Sequence, residues 1–178
     1  MHQNRQNMKQ CPPVFLGTLL LALVSCSSSD DKKITDGVDG FLKTYNRNFR
    51  TTPRAGLTQS LTQLLDQAVA AENTSREQVR QSDHPTDKPN LIEGEIFASV
   101  YEGYDRYELM KVVRKGDEVL VPVNFTNSTY KFNWQDTFVL KNEQGWKIDN
   151  VLFNAKDKPR TYSGTRALIN EFLKVTVP

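Results

Sequence analysis

The hydrophobic pattern in the first half of the chain predicts two helices. Apolar residues recurring at helical spacing predict an amphipathic helix over about residues 35–50. A second pattern with the same period opens near Thr58 and reaches Val79, with an expected break at residues 73–75, where Asn, Thr and Ser follow one another. Proline and aspartate then predict a loop at residues 82–90.

Beyond this loop the apolar pattern changes to a period of two, which indicates strands. The segments DRYELMKVVRK and DEVLVPVNF flank Gly116–Asp117, a two-residue hairpin signal that would place Lys115 opposite Glu118. Extended along both strands, this register puts Glu108 on the inner face, among apolar residues.

A second hairpin is predicted from the segments WQDTFVL and WKIDNVLF. Alignment of their apolar residues places Asp136 opposite Asn150 on the inner face, because a slip of one residue would bury Lys147 and Asp149. The segment TRALINEFLK then predicts a short helix over residues 165–174. The apolar residues expected on the common face are Trp134, Phe138, Leu140, Trp146, Ile148 and Leu152.

Two helices followed by antiparallel hairpins predict an α+β fold in which helices pack on a curved antiparallel sheet. The order of elements, with the terminal GWKIDNVLF strand, resembles the nuclear-transport-factor-2-like, cystatin-related cone. More narrowly, DKPNLIEGEIFASVYEGYDRY and WQDTFVLKNEQGWKIDNVLF resemble a family of bacterial envelope lipoproteins of unknown function, the DUF3828 type. The resemblance covers roughly residues 34–155. It implies the cone fold and an envelope location, and no reaction.

Residues 1–25 have the composition of a signal peptide. An apolar run from Val14 to Val24 follows Arg5 and Lys9, and no acidic residue precedes Cys26. The run is too short for a membrane-spanning helix, which needs about 20 apolar residues. Met8 would serve equally well as the translation start.

The segment LVSC at residues 23–26 resembles a bacterial lipobox. Cys26 would then be acylated and become the first residue of the mature protein, held in the membrane by two or three acyl chains. The alternative is an ordinary secretory signal with an incidental cysteine. Residues 26–33 are predicted to form a lipidated flexible tether. Their serines followed by paired acids resemble the surface-export signal of lipoproteins from the Bacteroides group, which favours an outer-membrane, surface-exposed protein.

The remaining chain is predicted to be one domain over residues 34–178, with a core at 34–155 and a C-terminal extension at 156–178. Removal of the 25-residue signal from 178 residues leaves 153, enough for one hydrophobic core. The signal takes two of the 23 basic residues, so 21 remain against 21 acidic ones. This balance gives no basis for nucleic-acid binding.

Loss of the signal leaves His84 as the only histidine and Cys26 as the only cysteine. A Cys/His nucleophile pair, a multi-histidine or Cys-rich zinc site and a disulfide are thereby excluded. His84 precedes a proline among turn residues, so we expect an exposed loop histidine, not a general base. The sequence contains no nucleophile-elbow, P-loop, dinucleotide-binding or EF-hand motif, and it predicts no cofactor.

Acidic residues at two glycine turns are a first candidate for chemistry. Glu93, Glu95 and Glu102 suggest paired carboxylates, but solvated or amide-capping acids are the preferred interpretation for such turns.

Polar residues on the predicted inner face are the second candidate. Asp136 and Asn150 would face each other, beside Trp134, with Glu108 and Tyr107 on the neighbouring hairpin. One interpretation is a pocket that binds a ligand or supports acid–base chemistry. The other is a satisfied buried hydrogen bond that fixes the strand register.

Two classes of function follow. The preferred one is a non-enzymatic envelope lipoprotein that is anchored to the membrane by N-terminal acyl chains and binds a small molecule, a peptide or an envelope protein. The alternative is a cone-type lyase, isomerase or hydrolase that uses Asp136 or Glu108 with Tyr107. An open pocket beside a carboxylate would favour the enzyme, and a filled cone would count against it.

Overall fold

The computed structural model describes residues 25–154 and 161–176, with side chains from Ser29 onward. The expected signal peptide and the side chain of Cys26 lie outside this description, so cleavage and acylation stay predictions. Within the described ranges, three helices accompany a five-stranded antiparallel sheet that is not closed. The coarse α+β prediction is thereby confirmed.

The first helix, α1, is Ser25–Thr44 and buries the apolar face that the pattern predicted. It ends earlier than residue 50 because Arg47 has a φ of 60°, in the left-handed region that stops an α-helix. The buried face consists of Ile34, Val38, Phe41 and Leu42, and Tyr45 and Phe49 are buried just beyond it.

The first turns of α1 differ from the flexible tether expected at residues 26–33, which are helical. Arg114 donates hydrogen bonds to Asp30 (3.1 Å) and Asp31 (2.6 Å), and the Trp146 indole donates to Asp30 (3.2 Å). These partners are more than 80 positions away along the chain. A local reading of a serine- and acid-rich segment could not reveal them.

The second helix, α2, is Gln59–Gln81, and Thr58 is its N-cap, as the pattern predicted. It continues through residues 73–75, so the expected break is wrong. Ser75 is buried, and its hydroxyl accepts a hydrogen bond from the Asn90 amide at 2.8 Å. Ser75 therefore makes a tertiary contact from within the helix and does not interrupt it.

The chain between α2 and the sheet contributes to the core without forming a helix or strand. The predicted loop at residues 82–90 is confirmed, and the following residues 91–105 are also irregular. Gly94 has a φ of 74°, and a Cβ there would lie 2.5 Å from the Tyr101 ring, so only glycine fits. The core residues from this stretch are Ile92, Ile96, Phe97, Ala98, Val100 and Tyr104.

The sheet is antiparallel throughout, in the order β1-β3-β4-β5, with β2 also paired to β3. Its buried side chains face the helices and form one continuous core with them. The strands are β1 Arg106–Leu109, β2 Val113–Lys115, β3 Glu118–Asn127, β4 Phe132–Asn142 and β5 Trp146–Leu152.

The first hairpin has the predicted turn but not the predicted register along its whole length. Lys115 lies opposite Glu118, as expected. Between β2 and β1 the pairing slips by one residue, so Tyr107 lies opposite Phe125 and Glu108 lies opposite Asn124. Because side chains alternate between faces, the slip moves Glu108 to the exposed outer face. Its predicted inner position is wrong.

The second hairpin contains a β-bulge at Asp149, which has no Cα partner on β4. Before the bulge, Ile148 faces the core as predicted. After it, Asn150 pairs with Val139, Val151 is fully buried, and Leu152 is 36% exposed. The prediction that Leu152 lies inside is therefore wrong. Trp134, Phe138 and Leu140 are buried as expected, and Trp146 is half-buried.

The predicted closing helix is confirmed as α3, Thr165–Thr176, which packs on α2 and β5. Gly164 precedes it at a very close backbone approach, because a Cβ there would lie 2.3 Å from the Val151 carbonyl oxygen. Among the helices of the described ranges, none has both the length and the apolar character needed to cross a bilayer.

Candidate functional site

Asp136 is the centre of the predicted inner cluster, and its carboxylate is completely buried. One oxygen accepts hydrogen bonds from the Ser99 hydroxyl (2.7 Å) and the Asn154 amide (2.8 Å). The other accepts from the Ser99 amide (2.7 Å) and the Trp134 indole (2.8 Å). Four donors saturate the carboxylate. Asp136 therefore connects Ser99 of the irregular segment with Trp134 on β4 and with Asn154, which follows β5. Neither of its oxygens is left for a substrate.

Asn150 does not contact Asp136, so the predicted pair is wrong. The predicted pair would place Leu140 opposite Trp146, but Leu140 lies opposite Ile148, a shift of two residues, and the bulge at Asp149 adds one more, so Asn150 lies opposite Val139. Its side-chain oxygen instead accepts the backbone N–H of Arg166, near the start of α3 (3.1 Å). Asn150 thus helps to attach the closing helix.

The two candidates from the first hairpin lie on opposite faces of β1. Glu108 is exposed on the outer face. Tyr107 points inwards, and its hydroxyl donates a hydrogen bond to Asp39 on α1 (2.9 Å). Burial and, to a lesser extent, this hydrogen bond raise the pKa of Tyr107 to about 12. Of the five predicted pocket residues, Trp134 and Asp136 are in contact, and Tyr107 and Glu108 both line a concave surface along β1 and β3.

The bulge buries Asp149 and forms a polar cluster around it, whereas the register predicted from the apolar residues kept Asp149 out of the core. Asp149 is buried, accepts hydrogen bonds from Thr58 (2.8 Å) and Arg166 (2.5 Å), and forms an ion pair with Lys141 (3.0 Å). Burial alone would raise the pKa of Asp149, but the hydrogen bonds from Lys141, Thr58 and Arg166 outweigh it, and the pKa is lowered. The cluster connects the start of α2, β4, β5 and α3, which is a structural role.

Glu95 is the one acid of the glycine turns that is buried, with 3% exposure. As predicted for an amide-capping acid, one oxygen accepts the Phe97 amide (2.8 Å). Its other oxygen makes no hydrogen bond of good geometry among the described residues, and the nearby Tyr45 hydroxyl makes none either. Burial raises the pKa of Glu95. The surrounding side chains leave it no exposure through which a substrate would enter.

A groove of about 520 Å³ lies between α3 and the irregular segment that follows residue 90, and a second concave surface of about 540 Å³ lies along β1 and β3. The floor of the groove is held in place because the buried Glu72 accepts the Ile92 amide (2.8 Å) and pairs with Arg50 (2.5 Å). No lining residue is basic. The groove is lined by Leu91, Ile92, Glu93, Tyr101, Thr161, Tyr162, Leu168, Glu171, Phe172 and Val175.

The two acids at the groove are already paired. Lys88 forms an ion pair with Glu93, and Lys174 pairs with Glu171 at 3.1 Å. The groove therefore combines apolar and aromatic side chains with polar ones and carries little net charge. Sequence analysis did not find it, because its walls come from α3 and a segment with neither helical nor strand periodicity.

The described residues contain no cluster of three histidine, cysteine, aspartate or glutamate side chains able to hold a metal ion. His84 is exposed in its loop, as predicted. Comparison of the chain with protein-family models, curated proteins and solved structures found no match.

Proposed function

We propose that this protein is a lipid-anchored protein of the bacterial cell envelope, held in the outer membrane by acyl chains on Cys26. The support is the sequence: an apolar run after two basic residues, the LVSC segment and the serines and acids that follow. Those acids also serve the fold, because Asp30 and Asp31 contact Arg114.

The domain is proposed to be a nuclear-transport-factor-2-like cone that binds and does not catalyse. The order of two long helices, antiparallel hairpins and inward aromatic residues supports the cone. The geometry of Asp136 carries the non-enzymatic proposal: a fully buried carboxylate with four donors has neither access nor a free oxygen for acid–base work. The lyase, isomerase or hydrolase alternative receives no support from Asp136 and would depend instead on Glu108 and Tyr107, which line the concave surface along β1 and β3.

The groove beside α3 is the proposed binding site, and its ligand is an uncharged, mainly apolar small molecule with an aromatic ring. A volume of about 520 Å³ lies within the range of small-molecule sites. Tyr101, Tyr162 and Phe172 offer aromatic surface, and the paired acids give no net charge to attract an ion.

Mass spectrometry of the mature protein tests the anchor. We expect acyl chains on Cys26 and an N-terminus at that residue, and Cys26→Ala should give an uncleaved precursor or a soluble protein. An unmodified N-terminus at Ser27 or beyond would refute the anchor. Protease treatment of intact cells separately tests surface exposure, because a domain inside the envelope would be protected.

A neutral apolar fluorophore, N-phenyl-1-naphthylamine, tests the groove. We expect its fluorescence to rise on binding to the purified protein and Val175→Asp to abolish the rise, because Val175 is a groove residue with 69% exposure. Val113→Asp is the matched control, since Val113 is also exposed and lies on β2, away from the groove. If both variants bind the fluorophore as strongly as the wild type does, this groove is not its binding site.

A further inference from the structure

The folded domain begins very close to the residue expected to carry lipid. Asp30 receives hydrogen bonds from Trp146 (3.2 Å) and Arg114 (3.1 Å), and Asp31 receives one from Arg114 (2.6 Å). The Arg114 guanidinium also lies over the Trp146 ring, 5.9 Å from its centroid. Only three residues separate Cys26 from Asp30. The start of α1 is therefore attached to the sheet almost at the lipid.

The reach of this connection is short in any conformation. Four helical steps from Cys26 to Asp30 span about 6 Å, and the same steps fully extended span about 14 Å. Acyl chains inserted in a bilayer would hold the Asp30 contact at the membrane surface. A flexible tether, by contrast, would let the domain rotate freely.

This constraint distinguishes the two ends of the sheet. Asp30 contacts Arg114 on β2, just before the Gly116–Asp117 turn. From that turn, β3 runs for 10 residues, about 30 Å, to the turn at residues 128–131. One turn therefore lies close to Cys26, and the other lies about the length of β3 away.

The near end carries groups suited to a lipid headgroup region. Val113 is 49% exposed, Trp146 is half-buried, and Arg114 and Lys115 are exposed on β2. Aromatic and basic side chains with apolar stems favour a membrane interface. Asp117 and Glu118 at the turn are acidic, and Arg114 is paired with Asp30 and Asp31, so the orientation depends on the short connection and not on attraction to anionic lipids.

We propose that the β2–β3 turn end of the domain rests on the phospholipid bilayer in which Cys26 is anchored, with the turn at residues 128–131 pointing away. The contact of Arg114 and Trp146 with Asp30 fixes this orientation. The inference rests on the proposed lipid anchor.

Lipid-dependent quenching of a fluorophore at each turn tests the orientation. Asp117→Cys and Thr129→Cys replace exposed turn residues, and each introduces the only reactive thiol of a mature acylated chain. The lipidated proteins are reconstituted in phosphatidylethanolamine and phosphatidylglycerol vesicles that contain a headgroup nitroxide lipid. We expect loss of most of the fluorescence from residue 117 and little loss from residue 129.

A longer connection provides the control. Insertion of about 20 Gly and Ser residues before Asp30, spanning roughly 25 Å on average, should reduce the quenching at residue 117 to the level at residue 129. Equal quenching without the insertion, in protein shown by mass spectrometry to be acylated and by melting to be folded, would overturn the orientation alone. An unacylated Cys26 would overturn both the orientation and the proposed anchor.

Discussion

Asp136 and Glu95 are both buried carboxylates, but their surroundings differ. Asp136 accepts four hydrogen bonds, whereas Glu95 accepts one and leaves an oxygen without a partner among the described residues. A buried charge stabilises a fold only when donors replace the lost water. Burial alone therefore does not reveal a functional acid. The partners decide whether an acid supports the fold or weakens it.

The largest expected effect comes from Asp136→Ala, which leaves four donors, three of them buried, without an acceptor. We expect the free energy of unfolding to fall by about 3 to 5 kcal/mol, as measured by urea denaturation. Glu108→Ala is the control, because Glu108 is exposed, and its effect should stay within about 0.5 kcal/mol. Similar effects of the two variants would mean that Asp136 is not saturated by donors.

Ser99→Ala sharpens the account of Asp136 by removing one of its donors. The variant loses the hydroxyl hydrogen bond of 2.7 Å to the carboxylate but keeps the backbone hydrogen bond. We expect a loss of about 1.5 to 3 kcal/mol, since hydrogen bonds to charged groups are stronger than neutral ones. If urea denaturation shows no loss, the hydroxyl contributes nothing to holding the carboxylate.

Glu95→Gln should change the dependence of stability on pH. Burial raises the pKa of Glu95 in the folded protein. The wild type therefore loses stability as the pH rises from about 4.3, the unfolded value, through the folded pKa. Glutamine cannot ionise, so the variant should have the higher Tm at pH 8 and lack this loss. Parallel Tm profiles for the two proteins would show that Glu95 is not perturbed.

Tyr45→Phe is expected to have the smallest effect. The Tyr45 hydroxyl is buried and has no hydrogen-bond partner among the described residues. Its removal should change the free energy of unfolding by less than about 0.5 kcal/mol, since no hydrogen bond is lost. A loss well above about 0.5 kcal/mol would indicate a hydrogen bond between Tyr45 and Glu95. The surroundings of Glu95 would then resemble those of Asp136 more closely.

Local signals predicted much of this fold. The N-cap signal predicted the start of α2 at Thr58, and turn chemistry predicted Lys115 opposite Glu118. Helical periodicity predicted α3. The slip between β1 and β2 and the bulge at Asp149 do not follow from local signals. Both interrupt regular strand pairing, and the side chains concerned bond to residues far away in the chain: Tyr107 to Asp39, and Asp149 to Thr58 and Arg166. Asp149 is buried since Thr58 and Arg166 are there to pair with it.

The candidate site was less predictable than the fold. Strand alternation correctly placed Asp136 on the buried face, but half of its donors come from Ser99, 37 positions away in an irregular segment. The same limit hid the burial of Glu95 and the groove beside α3. Periodicity identifies which face of an element is buried, and it carries no information about segments without a period.

The matched amide substitutions test the central claim that buried acids here act on the fold according to their donors. Urea denaturation of Asp136→Asn and Glu95→Gln at pH 7.5 compares the same chemical change at the two sites. We predict opposite signs: Asp136→Asn destabilises, because its NH₂ group faces donors, and Glu95→Gln stabilises, because it removes an acid whose ionisation is opposed by burial. An Asp136→Asn variant as stable as the wild type, or a Glu95→Gln variant that is less stable, would contradict the account.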